Sequence, residues 1–252
     1  MKRYSTDLSD SQWENIKIFL NLERKRKYCL REVWNALQYL LRTGCQWRML
    51  PNCFPPWQSV YYYFRKWKLN GLIEEVHEAL VVKVRADAGR DKEPSVGIID
   101  SQSVKTSKKG GEARGYDAGK KTSGRKRHIV VDVMGLLLTV CVHSAGEQDR
   151  VAARMVLESL KYKSSRMTKI FADGGYTGTL LEWANKCLNW VVEIVKRTDA
   201  GFKVLPKRWV VERTFAWILN YRRNSKDYEY LTETSEAMIR LSMINLMLNR
   251  LK

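Results

Sequence analysis

The sequence predicts an α/β domain built on one mixed sheet and preceded by an all-helical block, and three observations carry that expectation. Three segments with helix start and stop residues follow one another within residues 9–71, and a fourth helical run lies behind them. After Pro94, short apolar runs of strand length alternate with helical ones. The two patterns meet at the polar stretch "AGRDKEPS", so residues 1–90 and 91–252 read as separate domains.

Each element has its own signal. "SDSQWENIKIFLN" opens on a Ser or Asp cap, "YCLREVWNALQYLLRTG" ends at Gly44, and "PPWQSVYYYFRKWKLNG" starts with proline and ends at Gly71. Three such helices suggest a helix-turn-helix-like unit, although the connection "CQWRMLPNCFPP" exceeds the usual turn of about 3–4 residues. "LIEEVHEALVVKVRADAG" is the fourth helix. Beyond it, "VGIID" reads as a strand ending at Asp100, and "RHIVVDVMGLLLTVCVHS" as two strands around a Met134-Gly135 turn. "DRVAARMVLESLKYK" is a helix capped by Asp149, and "MTKIFAD" is a strand ending at Asp173. "GTLLEWANKCL" (helix), "NWVVEIVKR" (strand) and "KRWVVERTFAWILNYR" (helix) complete the series, while the Gly/Lys/Ser-rich "KTSKKGGEARGYDAGKKTSGRKR" reads as a mobile basic loop.

Composition narrows the function. With 252 residues, 44% of them hydrophobic, the chain can bury a real core. No apolar run approaches the ~20 residues that span a bilayer, and "MKRYSTDLSD" lacks the features of a signal peptide, so a cytoplasmic protein with no membrane partner is expected. Five cysteines without a C-x-x-C pair argue against a disulfide framework, and Cys45, Cys53 and His77 lack a fourth zinc ligand. The net charge of +18 is concentrated: residues 1–90, 104–127 and 196–226 each carry an excess of seven, and the remainder is slightly acidic. That spread suits a polyanion contacted at several points. The alternative is a generally basic, soluble surface.

Against this background the acids stand out. Asp100 and Asp173 end predicted strands, where open α/β sheets gather ligands, although a lone strand-end aspartate is more often a turn or cap residue. Glu212 lies on an otherwise apolar and basic helix, with Arg208 at i−4 and Arg213 beside it, while Val211, Phe215 and Ile218 form the docking stripe. Two strand-end aspartates and a helix glutamate suit two Mg²⁺ ions, because oxygen donors and phosphate complete such sites. A plain Arg208/Glu212 pair on one helix face is the other reading of Glu212.

The motifs "IIDSQSVKT", "GRKRHIVVDVMGLLL", "FADGGY" and "RWVVERTFAWILNYRRNSKDYE", preceded by "LLRTGCQWRMLPNCFPPWQSVYYYFRKW", occur in one order along nearly the whole chain. They resemble the bacterial insertion-sequence transposases of family five, within the family-four-like group of DDE transposases. The resemblance implies an RNase H-like catalytic domain in which Asp100, Asp173 and Glu212 are the catalytic, metal-binding acids. The separations of 73 and 39 residues leave little room for the β-rich insertion of larger relatives. Arg208 matches the arginine of the group's signature around the third acid, whereas Leu205 and Leu219 stand where that signature has Tyr and Lys.

The resemblance further implies two Mg²⁺ ions, for which Mn²⁺ can substitute, and double-stranded DNA as substrate, both terminal inverted repeats and target. It also implies a homodimer on DNA and a place at the bacterial nucleoid. A catalytically inactive, transposase-derived DNA-binding regulator is the rival, and loss of an acid would mark it. An ordinary RNase H-like nuclease would have no need of the helical block. Asp132, Asp149, Glu182 and Glu193 are second choices for the acids, and His128 and His143 read as structural. Candidate DNA contacts are Arg65, Lys66 and Lys68 on the third helix, Lys105, Arg125, Lys126 and Arg127 in the middle basic block, and Arg208, Arg213, Arg222, Arg223 and Lys226 near the third acid. Trp47, Trp57, Tyr61, Phe64 and Trp67 either stack on bases or, at their helical spacing, fill a core.

Overall fold

Ser9 starts the first helix as the sequence suggests: its side chain accepts from the Gln12 amide while Gln12 returns a bond to the Ser9 amide, which closes a capping box. The structure, a computed structural model, describes residues 4–108, 110–111, 113–195 and 208–251. The helices are α1 (Asp10–Lys17), α2 (Leu30–Thr43), α3 (Trp57–Leu69) and α4 (Leu72–Asp87). Gly44 ends α2 at φ 70° and Gly71 separates α3 from α4 at φ 77°, a left-handed backbone that glycine adopts without a Cβ penalty. The long connection before α3 holds one 3₁₀ turn, Trp47–Met49.

After α4 come β1 (Val96–Lys105), β2 (Gly115–Asp117), β3 (Thr122–Val131), β4 (Leu137–Ser144), α5 (Asp149–Lys161), β5 (Lys169–Ala172), α6 (Thr179–Trp183), β6 (Val191–Ile194), α7 (Arg208–Leu219) and α8 (Thr232–Leu248). The sheet is mixed. β3 pairs antiparallel with β1 on one edge; on its other edge it pairs with β2 and then with β4, also antiparallel. β5 pairs parallel with β1, and β6 parallel with β5. Buried aliphatic residues of β1, β3, β4 and β5, such as Ile98, Val130, Val140 and Ile170, form the core together with Val156 and Leu160 of α5.

Three sequence expectations change. The stretch expected as a mobile basic loop contributes β2 and the first half of β3. Helix α8 was not anticipated; its Ile239, Leu241, Met243, Ile244 and Met247 are all buried, and its few accessible polar residues, such as Glu233 and Arg240, leave little contrast between faces for a periodicity argument to find. The compact units are also not two consecutive stretches: one comprises Met1–Arg90, Ile218–Ser225 and Ala237–Lys252, the other Asp91–Trp217 and Lys226–Glu236. Among the described residues, no helix is long and apolar enough to cross a membrane.

In the second unit a buried ion pair fixes the segment after residue 225. Arg125 reaches Asp227 at 3.3 Å, with side-chain exposures of 1% and 0%. Its guanidinium also donates to the carbonyls of Ala113, Glu229 and Tyr230. Asp227 in turn accepts from Ser235 and from the Glu229 amide, and its backbone bridges to Thr106 beyond β1. Removing one partner strands the other charge in the interior. Asp227→Ala is therefore expected to cost about 3–5 kcal/mol, and Arg125→Met combined with Asp227→Leu recovers only the part due to the stranded charge, because the three carbonyls and the Ser235 hydroxyl then lose their partners; urea unfolding of the three proteins measures both.

Candidate active site

Strand pairing determines where the first acid stands. β1 is parallel to β5 only from Val96↔Lys169 to Ile98↔Phe171, yet it runs on beside β3 to Lys105↔Gly124. Asp100 is thus not at a strand end, as expected, but inside β1, opposite Ile129 and beyond the last β1–β5 pair. The β1–β5 pairing ends two residues before Asp100, which "VGIID" alone does not reveal. Asp173 follows β5 directly and caps the 3₁₀ turn Gly174–Tyr176, its Oδ1 accepting from the Gly175 amide at 2.8 Å. Glu212 is carried by α7, whose Val211, Phe215 and Ile218 are buried as the predicted stripe requires.

One nitrogen joins the three acids. Nη2 of Arg208 lies 3.6 Å from Asp173 Oδ2, 3.8 Å from Glu212 Oε1 and 3.9 Å from Asp100 Oδ2. Among the described residues, no group of three or more His, Cys, Asp or Glu is assembled to hold a metal ion by itself; the acids converge through the guanidinium. Side-chain exposure rises from 16% at Asp100 to 33% at Asp173 and 63% at Glu212. Burial pushes the Asp100 carboxyl up to about 6, reinforced by the charge of Asp173 and opposed by the Ser101 amide, Arg208 and Lys120.

Beneath the acids lies a polar layer that the sequence did not assemble. Ser101, next to Asp100, donates to Asp149 at 3.0 Å, and its own carbonyl accepts from Lys120 at 2.7 Å. Asp149 also pairs with Lys126 at 2.9 Å. Asp149 is therefore not the cap of α5, a place taken by Gln148, but a fourth acid tied to β1. Tyr176 of "FADGGY" reaches His128 Nε2 at 2.7 Å, and His128 Nδ1 meets His143 Nε2 at 3.4 Å. His143 Nδ1 lies 2.9 Å from the Ser144 carbonyl, which only accepts, so this nitrogen carries the proton. The remaining protons follow: His128 donates to His143, and Tyr176 donates to His128. Burial keeps both rings neutral, His128 being lowered to about 3 and His143 also lowered, while burial and the neighbouring acids raise Tyr176.

Several cations expected at DNA are consumed internally. Arg125, Lys126 and Arg127 are buried in β3, with partners at Asp227, Asp149 and the Lys226 carbonyl respectively. Burial lowers Arg127 to about 10, opposed by the charge of Asp227. Arg213 is clasped between Trp209 and Trp217, with 4.4 and 4.5 Å to the ring centroids, and donates to the Met134 carbonyl. Arg223 is buried and donates to the Cys45 carbonyl. Arg65, Lys66, Lys105, Arg222 and Lys226 are exposed, and Lys68 is half-buried. Phe64 and Trp67 belong to the core, whereas Tyr61 is 43% exposed. Among the second-choice acids, Asp132 accepts from the Met134 and Leu136 amides in the β3–β4 turn, and Glu193 pairs with Lys169.

The "Transposase DDE domain" family model matches residues 91–248. A second model, "Putative transposase of IS4/5 family", matches residues 8–77. A curated relative, "Putative transposase for insertion sequence element IS402" of Burkholderia cepacia, is 27% identical over 137 residues, covering 51% of this chain and 65% of its own length.

The raised Asp100 makes a prediction on stability. A carboxyl that folding pushes upward holds its proton more tightly in the folded chain, so its stabilising effect is complete below about 3.8 and is lost as pH rises to about 6. Asp100→Asn removes that dependence. In chelator, the variant should gain on the wild type by up to about 3 kcal/mol between about pH 4 and pH 7, read by urea unfolding at both values.

Proposed function

The chain belongs to the transposase DDE domain family, and from that premise we propose that it binds the terminal inverted repeats of an insertion sequence, cleaves the element ends and joins the freed 3′-hydroxyl to target DNA. The observation that carries this reading is the meeting of Asp100, Asp173 and Glu212 at a single nitrogen of Arg208. The sheet order β4–β3–β1–β5–β6, antiparallel on one side of β1 and parallel on the other, supports an RNase H-like catalytic domain. The helical residues up to Arg90 then serve as the DNA-binding domain, in line with the match at residues 8–77. Two ends have to meet for strand transfer, so the working form is a homodimer on DNA, in the cytoplasm at the nucleoid.

The acids suit divalent cations. They offer only hard oxygen donors, and the point they share is already a cation position, filled here by the Arg208 guanidinium. Bound by Asp100, Asp173 and Glu212, two Mg²⁺ ions, or Mn²⁺ in their place, would supply an activated water or 3′-hydroxyl and neutralise the leaving oxygen. The chain's own groups do the rest. The Gly175 and Ser101 amides hold Asp173 and Asp100 in place, and Arg208, released from the acids, is positioned to take a phosphate oxygen. Exposed Lys105 and Lys226, in the same unit as the acids, are available to phosphate. With all three acids present, nothing favours an inactive regulator.

Glu212→Gln keeps size and helix but removes the ligand charge. Cleavage of labelled element ends in Mg²⁺ should fall on the order of a thousandfold, equivalent to several kcal/mol of lost charge stabilisation, while end binding persists. Mg²⁺ should also raise the melting temperature of the wild type more than that of the variant. Near-normal cleavage with a slightly lowered melting temperature would reduce Glu212 to a helix partner of Arg208.

A further inference from the structure

Lys120 is an exposed residue whose ammonium is nevertheless committed: it donates to the Ser101 carbonyl at 2.7 Å and to the Ser101 hydroxyl at 3.1 Å. It comes from the turn between β2 and β3, and specific bonds shape that turn. Asp117 Oδ1 accepts from the Lys120 amide at 3.0 Å, and the Thr122 hydroxyl donates to the Lys120 carbonyl at 3.1 Å. Lys121, the next residue, stands at φ 48°, a left-handed conformation that residues other than glycine seldom adopt and that persists only where the surroundings impose it.

Both serines of "IIDSQSVKT" serve this turn. Ser103 donates to Asp117 Oδ2, and Ser101 receives Lys120. Strand alternation gives the two serines one face of β1 and Asp100 the other, so Lys120 approaches the acid from behind, through the strand. Ser101 is the hub there. Its amide donates to Asp100 Oδ1 at 2.7 Å, its hydroxyl donates to Asp149 at 3.0 Å, and its hydroxyl and carbonyl both accept from Lys120. A hydroxyl has one proton, which goes to the carboxylate that can only accept; a lone pair then faces the ammonium that can only donate. The two charges thus fix the Ser101 side chain, and the bond to its carbonyl fixes the peptide beyond. An amide held in this way keeps one direction for the Asp100 carboxylate.

We propose that Lys120 is a positioning residue for the first acid: by gripping Ser101 it orients Asp100 toward Asp173 and Glu212 in the geometry a divalent cation requires. The proposal rests on the reading of these acids as a metal site and deepens it, because it gives the β2–β3 turn a part in that site. A purely through-space role has the opposite sign. A cation near the acids repels a metal ion, so its removal would tighten metal binding. Loss of a bond that orients a metal ligand loosens it, typically by about ten- to a hundredfold.

The test follows Mn²⁺ binding to the DNA-free protein by the electron paramagnetic resonance of the free ion, beside cleavage of labelled element ends in Mg²⁺. Lys120→Met should lower the Mn²⁺ affinity by about tenfold or more and slow cleavage by a similar factor, while end binding persists and the circular dichroism spectrum is unchanged. Ser101→Ala keeps every charge and drops only the hydroxyl that Lys120 and Asp149 share. It should weaken Mn²⁺ binding in the same direction, and the two changes together should cost less than the product of their separate factors. Unchanged or tighter Mn²⁺ binding in Lys120→Met overturns the proposal, and so does a double variant whose loss equals that product. A wild type that binds Mn²⁺ with this dependence on Lys120 yet cuts no element end defeats the transposase reading and leaves the positioning role standing. A wild type that holds no Mn²⁺ at all removes the metal reading, and this proposal with it.

Discussion

Carboxylates gather only where a cation or a shared proton offsets their repulsion, and that constraint organises the unit that holds the three acids. Asp100, Asp173 and Glu212 approach one another from a strand interior, a strand end and a helix, elements that share no local sequence. Each adds repulsion to the others, and Asp100 is deep enough for burial alone to penalise its charge. Arg208 resolves the conflict by standing within 4 Å of all three. The same arrangement that lets the chain fold with its acids together therefore leaves a cation-shaped demand at the surface. An arginine meets that demand weakly, with long contacts to partners of unequal exposure.

The layer behind the acids follows from strand alternation. Side chains along β3 point to opposite faces in turn, so Arg125 and Arg127 face the segment at residues 226–230, while Lys126 and His128 face Asp149 and Tyr176. The run "RKRH" thus feeds two different networks. One ties the chain after α7 to the end of β1. The other links Asp149, Ser101 and Tyr176 underneath the acids, with neutral histidines in a single consistent tautomer. Buried polar groups of this kind are stable only when each donor has its acceptor, so β3 acts as a rigid floor whose chemistry is settled by its neighbours.

Much of this was legible in the chain. Caps and glycines gave the first four helices because those signals are local: Ser9, Gly44 and Gly71 act on backbone groups within a turn of themselves. Asp173 was legible for the same reason, sitting between an apolar run and two glycines. The apolar stripe of α7 marked Val211, Phe215 and Ile218 as buried. What was hidden depends on partners distant in sequence. β1 extends past Asp100 because β3 continues to pair with it, and the middle basic block enters the sheet because Asp227, Asp149 and backbone carbonyls receive its charges. Helix α8 was hidden for the opposite reason, since burial around most of its circumference weakens the contrast between faces that periodicity detects.

Net charge is accordingly a poor map of where this chain keeps its cations free. The middle block holds as great an excess as the N-terminal block, yet Arg125, Lys126 and Arg127 spend theirs inside the fold. In the N-terminal block Arg24, Lys25 and Lys27 remain exposed around an acid-free groove. What separates the two is the availability of buried acceptors. A cation on a strand covered on both faces must find an acid or a carbonyl in order to fold, whereas one on an exposed connection keeps its hydration and is free to exchange it for phosphate. The chain can therefore be strongly basic without being uniformly adhesive, because a large part of its positive charge is already answered inside the fold.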